Sequence, residues 1–218
     1  MTLQGWDLNA GKSNGKKNNF TKFPEGITRI RILDTVPFMR WTHWLPQFSR
    51  KITCPGFGCP IDELIKMHKA NGTQSPYGSA RAFSLNIYNH DTNQHEIMEE
   101  GVTMFEVLKI AIEDAIEENP GTTIGSFIFK VRKRQGANGR ATWTVTVDSV
   151  NEPLSEAELN ALEERVDLAE LFKAPTVDQV KELLAVQATS KDEYIEKYNE
   201  IMGYNQKQQD ERLGLETE

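Results

Sequence analysis

The sequence predicts a mainly β fold of the α+β class: a five-stranded barrel broken by one helix, then an acidic helical region. Three observations point there. Runs rich in β-branched residues alternate in part between apolar and polar positions over the first two thirds of the chain. One long amphipathic segment interrupts them, and a glycine-rich turn joins the last two runs. From Asn151 onward the pattern changes to helical spacing with an acid excess.

Taken in order, residues 1–20 are rich in Gly, Asn and Lys and read as a flexible basic arm. The turn Phe23-Pro24-Glu25-Gly26 leads into a first strand, Ile27 to Leu33, and Pro37 precedes a second, Met39 to Phe48. An insertion over residues 50–80 holds both cysteines and a short helix, Ile61 to Ala70. On that helix Ile61, Leu64, Ile65 and His68 share a face. The third strand, Arg81 to Asn89, alternates Phe83, Leu85 and Ile87 with Ser84, Asn86 and Tyr88, and His95 to Met98 offers a brief return. Val102 to Glu118 is a helix striped by Phe105, Leu108, Ile112 and Ile116, and Asn119-Pro120-Gly121 ends it. Ser126 to Arg134 and Arg140 to Val150 form a hairpin across Gly136-Ala137-Asn138-Gly139. Three strands, a helix and a two-stranded hairpin is the order of the OB-fold, placed here at residues 21–150. Residues 151–204 follow as a helical acidic region. A capping box of Ser155 and Glu158 opens its first helix, and further helices run from Thr176 to Ala185 and Ser190 to Tyr204. Residues 205–218 are polar and acidic, and disorder is expected.

The net charge of −7 conceals an asymmetry. Residues 1–90 carry 12 basic and 5 acidic side chains, whereas residues 151–218 carry 7 and 17. A basic front with its acidity in the tail fits a polyanionic partner, because a polyanion feels the local field. An acidic tail can also compete for the basic groove when the polyanion is absent. No apolar run approaches the length of a spanning helix, and the N-terminus lacks the apolar stretch of an export signal, so a cytoplasmic setting is expected. Phosphate-cradling loops, a nucleophile elbow and the HExxH metalloprotease pattern are missing, which argues for binding over catalysis.

Cations and rings lie together on the extended segments. Arg29 and Arg31 share one parity of strand one. Lys130, Arg132 and Arg134 share one parity of the hairpin's first arm, opposite Phe127, Phe129 and Val131. Strand two brings Arg40, Trp41 and Trp44, with Arg50 and Lys51 at its far end, and strand three brings Tyr88. Single strands are held by cations along the phosphates and flat rings against unpaired bases, so these residues are the candidate DNA-binding set. Trp41 and Trp44 have opposite parity, which predicts one buried and one exposed; Phe127, Phe129 and Trp143 fit a core equally well.

Cys54 and Cys59 flank a four-residue turn, a spacing that lets two thiolates share a tetrahedral ion. His43 and His68 are the nearest imidazoles. A structural zinc on His43, Cys54, Cys59 and His68 is one reading, with Asp62 or Glu63 able to replace a histidine. Unliganded thiols and a disulfide are the others.

Phe23-Pro-Glu-Gly-Ile-Thr-Arg-Ile-Arg-Ile-Leu-Asp34, Arg40-Trp-Thr-His-Trp44 and Cys54-Pro-x3-Cys59-Pro together resemble the phage single-stranded DNA-binding proteins, counterparts of the T4-type helix-destabilising protein. The resemblance spans about residues 1–150. It implies an OB-fold that coats single-stranded DNA with self-association, in phage replication, recombination and repair within the host cytoplasm. It also implies a zinc-bearing insertion in some members and an acidic C-terminus that contacts replication or recombination proteins. T4-type zinc sites use three cysteines and a histidine, and this chain has two cysteines. An RNA-binding OB or cold-shock-like module and a non-enzymatic phage structural or adaptor protein are the alternative readings.

Overall fold

The computed structural model describes residues 19–136 and 139–203. Seven strands form one antiparallel sheet: β1 (Gly26–Ile32), β2 (Phe38–Leu45), β3 (Arg50–Thr53), β4 (Gly78–Asn89), β5 (Gln94–Gly101), β6 (Phe127–Gln135) and β7 (Ala141–Val150). Six α-helices accompany them among the described residues: α1 (Pro60–Ala70), α2 (Val102–Glu118), α3 (Glu156–Glu163), α4 (Leu168–Leu171), α5 (Val177–Ala185) and α6 (Lys191–Met202). The strand order is β3-β2-β4-β1-β6-β7, with β5 on β4. The α+β class is as expected, but there are seven strands rather than five. Among the described residues no pairing of β3 with β7 closes the sheet into a barrel. The basic arm to residue 18 and the acidic tail from residue 204 lie outside the described residues.

The chain divides into two compact units whose boundaries cut across the expected domains. Of the described residues, one contains 19–38 with Ser84–Leu171; the other contains Met39–Phe83 with 172–203. The cysteine segment therefore shares a core with α5 and α6, whereas α3 and α4 belong with the hairpin strands.

In the first unit β1 lies between β4 and β6, and β6 pairs with β7. Ile30, Ile32, Phe127, Phe129 and Val131 are buried, as are Met104, Phe105, Leu108 and Ala115 of α2, which packs on β5 and β7. Phe127 and Phe129 are thus core residues, their rings 5.9 Å apart. Ahead of the turn at Phe23, Phe20 bridges Ile97 in parallel, with Thr21 N–H donating to the Ile97 carbonyl at 2.9 Å. Both faces of β4 are buried from Ser84 to Asn89, so its polar side chains need internal partners. Asn86 donates to Asp34 at 3.0 Å and to the Val166 carbonyl at 3.0 Å, and its side-chain oxygen accepts from the Val166 N–H at 3.0 Å. His95 Nε2 lies 2.8 Å from that same oxygen, which makes His95 part of this network. Burial pushes the Asp34 carboxyl up, against the Asn86 hydrogen bonds and Arg165 that favour its ionised form.

The second unit packs Leu45, Phe48, Ile52, Cys59 and Ile61 against Val180 and Leu183 of α5 and Tyr198 of α6. The capping box read from the sequence is present, with Ser155 accepting from Glu158 N–H, and Thr176 and Ser190 also cap α5 and α6.

Candidate nucleic-acid interface and metal centre

Strand register settles which cations share a face. On β1 and β6, Ile27 stands opposite Arg132 and Arg29 opposite Lys130; on β6 and β7, Lys130 faces Thr146, Arg132 faces Thr144 and Arg134 faces Thr142. Directly opposed residues project to the same side of a sheet. Arg29, Lys130, Arg132 and Arg134 therefore stand on one face beside Thr142, Thr144 and Thr146, while the alternate residues enter the core. Arg134 and the three threonines are exposed, and Arg29, Lys130 and Arg132 are half-buried. Asp148 enters this face from β7. Its carboxylate accepts from Arg29 Nε at 2.5 Å and pairs with Lys130. The Lys130 ammonium, and after it Arg29, hold the Asp148 carboxyl below its ordinary range. Arg132 and Arg134 form no ion pair among the described residues. Within its strands the face thus carries four cations and one carboxylate, with hydroxyls between them.

Arg31, expected beside Arg29, does not reach solvent. α3 roofs that end of the face, and Arg31 is 1% exposed. Its Nε donates to Glu158 Oε1 at 2.6 Å, and Nη1 donates to the Gly125 carbonyl at 2.8 Å. Burial pulls the Glu158 carboxyl up, but the Ser155 N–H and hydroxyl and the Arg31 guanidinium outweigh it and keep the group below the usual carboxylate range. Tyr88 is removed from the candidate set for the same reason, since it is buried with Leu33 and Ala161 under the same helix. Arg40 is buried too, its guanidinium 3.4 Å from the Phe172 ring centroid.

On β2 the parity expectation for the tryptophans fails: Trp41 and Trp44 are 51% and 44% exposed. They do lie on opposite faces, but each face is covered over only part of the strand. His43 and Leu45 are covered on the Trp41 side, and Arg40 and Thr42 on the Trp44 side. Trp44 stands opposite exposed Lys51, whereas Arg50 faces the other way with its guanidinium 5.0 Å from the Tyr198 ring.

The ligand atoms of His43, Cys54, Cys59 and Asp62 lie within 4.8 Å of one another, a cluster that could hold a metal ion. Cys59 Sγ is 3.4 Å from His43 Nε2, Cys54 Sγ is 3.6 Å from Asp62, and His43 Nε2 is 3.7 Å from the Asp62 carboxylate. A tetrahedral zinc with bonds of about 2.0 to 2.3 Å spaces its ligands by roughly 3.3 to 3.8 Å, so the donors need little movement to fit. Each element contributes locally. Cys54 ends the β2–β3 ladder, its N–H donating to the Trp41 carbonyl at 2.8 Å. Cys59 caps α1, and Asp62 follows in that helix's first turn. His43 is fully buried, and its Nδ1 lies 3.4 Å from the Gly78 carbonyl. A carbonyl only accepts, so this contact places the proton on Nδ1 and leaves the Nε2 lone pair for the cluster. Both cysteines are free in this structure. Burial and the neighbouring Cys59 push the Cys54 thiol up to about 12, whereas a divalent cation would favour its thiolate.

His68, one of the sequence-derived ligands, is not in the cluster. Its Nδ1 pairs with the Thr73 hydroxyl at 2.8 Å at the far end of α1. Asp62 takes its place because it stands three residues after Cys59 on the same helical side, whereas nine residues carry His68 about 13 Å along the axis. No described helix is long and apolar enough to cross a membrane. Compared with protein-family models, curated proteins and solved structures, the chain matches none of them.

Proposed function

We propose that this protein binds single-stranded DNA without strong sequence preference, as a non-catalytic coating protein. The observation that carries the reading is the open half of the first unit's sheet, where Arg29, Lys130, Arg132 and Arg134 line one face among exposed threonines. Cations at every second residue of a strand repeat at about 7 Å, close to the phosphate spacing of an extended single strand. The order of strands, helix and hairpin supports an OB-type relationship for this sheet, and the resemblance of residues 1–150 to phage single-stranded DNA-binding proteins supports the same role in replication, recombination and repair. Zinc is the metal that best suits two thiolates, an imidazole and a carboxylate. Four protein ligands leave no open position, so its role would be to fasten the cysteine turn to β2 and α1.

The test is titration with oligo-dT at several salt concentrations, following tryptophan fluorescence. Four cations less one carboxylate imply a slope of log affinity against log salt near −2, at about −0.7 per phosphate. Salt-insensitive or absent binding would instead support a structural or adaptor protein, and tighter binding to oligo-U would point to RNA.

A further inference from the structure

Phe57 sits at the tip of the cysteine turn and is 103% exposed, so its ring touches nothing that would repay its contact with water. The backbone presents it firmly. Gly56 and Gly58 on either side adopt left-handed conformations, at φ 86° and 77°. The Cys59 N–H donates to the Gly56 carbonyl at 3.1 Å, and the Gly56 N–H donates to Cys54 Sγ at 3.4 Å. The turn is therefore closed by its own hydrogen bonds and by the metal-competent cluster, without help from the phenyl ring. A polar residue would serve the fold equally well at this position.

The neighbourhood narrows what the ring is for. Cys54 bonds to the backbone of Trp41, and in that ladder Trp41 projects to the same side as Cys54 and His43. Trp41 is half exposed, and the guanidinium of exposed Arg81 lies 5.9 Å from its ring. Two exposed rings and a cation, carried by the cysteine turn, β2 and β4 of the same unit, match flat π-faces strung on an anionic backbone better than an aliphatic protein groove.

We propose that the cysteine turn is a second single-strand contact of the second unit, in which Phe57 and Trp41 stack on unpaired bases and Arg81 takes a phosphate. The inference rests on the DNA-binding reading and adds to it a surface that reads bases rather than charge alone.

The experiment compares full-length, zinc-loaded wild type, Phe57→Ala and Phe57→Trp for binding to oligo-dT and to an abasic oligomer of equal length. Phe57 makes no packing contact, so its replacement should leave the fold intact. Phe57→Ala is expected to weaken oligo-dT binding by about five- to a hundredfold with an unchanged salt slope, to leave abasic binding as it was, and to be rescued by Trp. Wild type that fails to bind oligo-dT at all would refute the proposed function itself. Wild type that binds while Phe57→Ala matches it within twofold would overturn only the second contact. A change in self-association with unchanged DNA affinity would likewise overturn it, assigning the ring to protein contact.

Discussion

Asp148 offers the sharpest test of the proposed sheet interface, because it is a carboxylate where the proposed complex would seat a phosphate. It holds Arg29 and Lys130, two of the four cations on the open face. In the proposed complex, DNA must share or displace it. Asp148→Asn keeps the shape and the hydrogen-bond acceptor but raises the net charge of the face from +3 to +4. One additional phosphate contact should steepen the salt slope by about 0.7, which at 0.1 M salt corresponds to about fivefold tighter binding and vanishes near 1 M. The lost ion pairs are partly solvated, so the stability cost should stay below about 1 kcal/mol. Fluorescence titration with oligo-dT from 0.05 to 0.5 M salt, a range chosen to span about one decade, measures both quantities. Affinity and slope that are unchanged, or lower than wild type, would mean that single strands do not lie on this face.

Other perturbations separate the parts of the site. Arg132→Ala with Arg134→Ala should flatten the slope by about 1.4, since neither forms an ion pair among the described residues, while Arg40→Ala should leave the slope alone and lower stability. Asp62→Ala should weaken zinc binding by an order of magnitude or more in competition with a chromophoric chelator, and His68→Ala should not change it. Glu158→Gln leaves Arg31 buried without its counter-charge and should cost about 3–5 kcal/mol in urea unfolding at pH 7. Because the folded protein holds the Glu158 carboxyl below its ordinary value, its stabilising contribution is complete above the unfolded value of 4.5 and is lost as pH falls beneath it. The variant's stability should therefore decline less than wild type between pH 5 and pH 3, the interval that brackets that value.

Much of the fold is legible locally. Asn119-Pro120-Gly121 stops α2, Ser155 and Thr176 cap α3 and α5, and the glycines at 136 and 139 bracket the hairpin, because these signals act within four residues of chain. β3 was not legible. Four residues, Arg50–Thr53, are too few to display a period, and only pairing with β2 makes them a strand. The grouping of the cysteine segment with α5 and α6 was hidden as well, because Ile61 and Tyr198 meet only through tertiary packing.

The candidate sites divide along the same line. Parity puts Arg29 and Arg31 on one side of β1 and Lys130, Arg132 and Arg134 on one side of β6, because alternation is a property of the strand itself, and the register between the two strands brings Arg29 to the face of the other three. Parity could not say which part of that face is roofed. The roof over Arg31 and Tyr88 is α3, whose Glu158 lies 127 residues from Arg31 in the chain. The same logic misjudged the tryptophans, since burial on β2 depends on what covers each face rather than on alternation alone. Asp62 is the instructive case in the other direction. A helix beginning at Pro60 puts residue 62 beside Cys59 and residue 68 more than two turns away, so helical geometry applied to the ligand search selects the carboxylate over the imidazole before any coordinate is known. The preference for an imidazole ligand suggested His68. The rise of the helix excludes it.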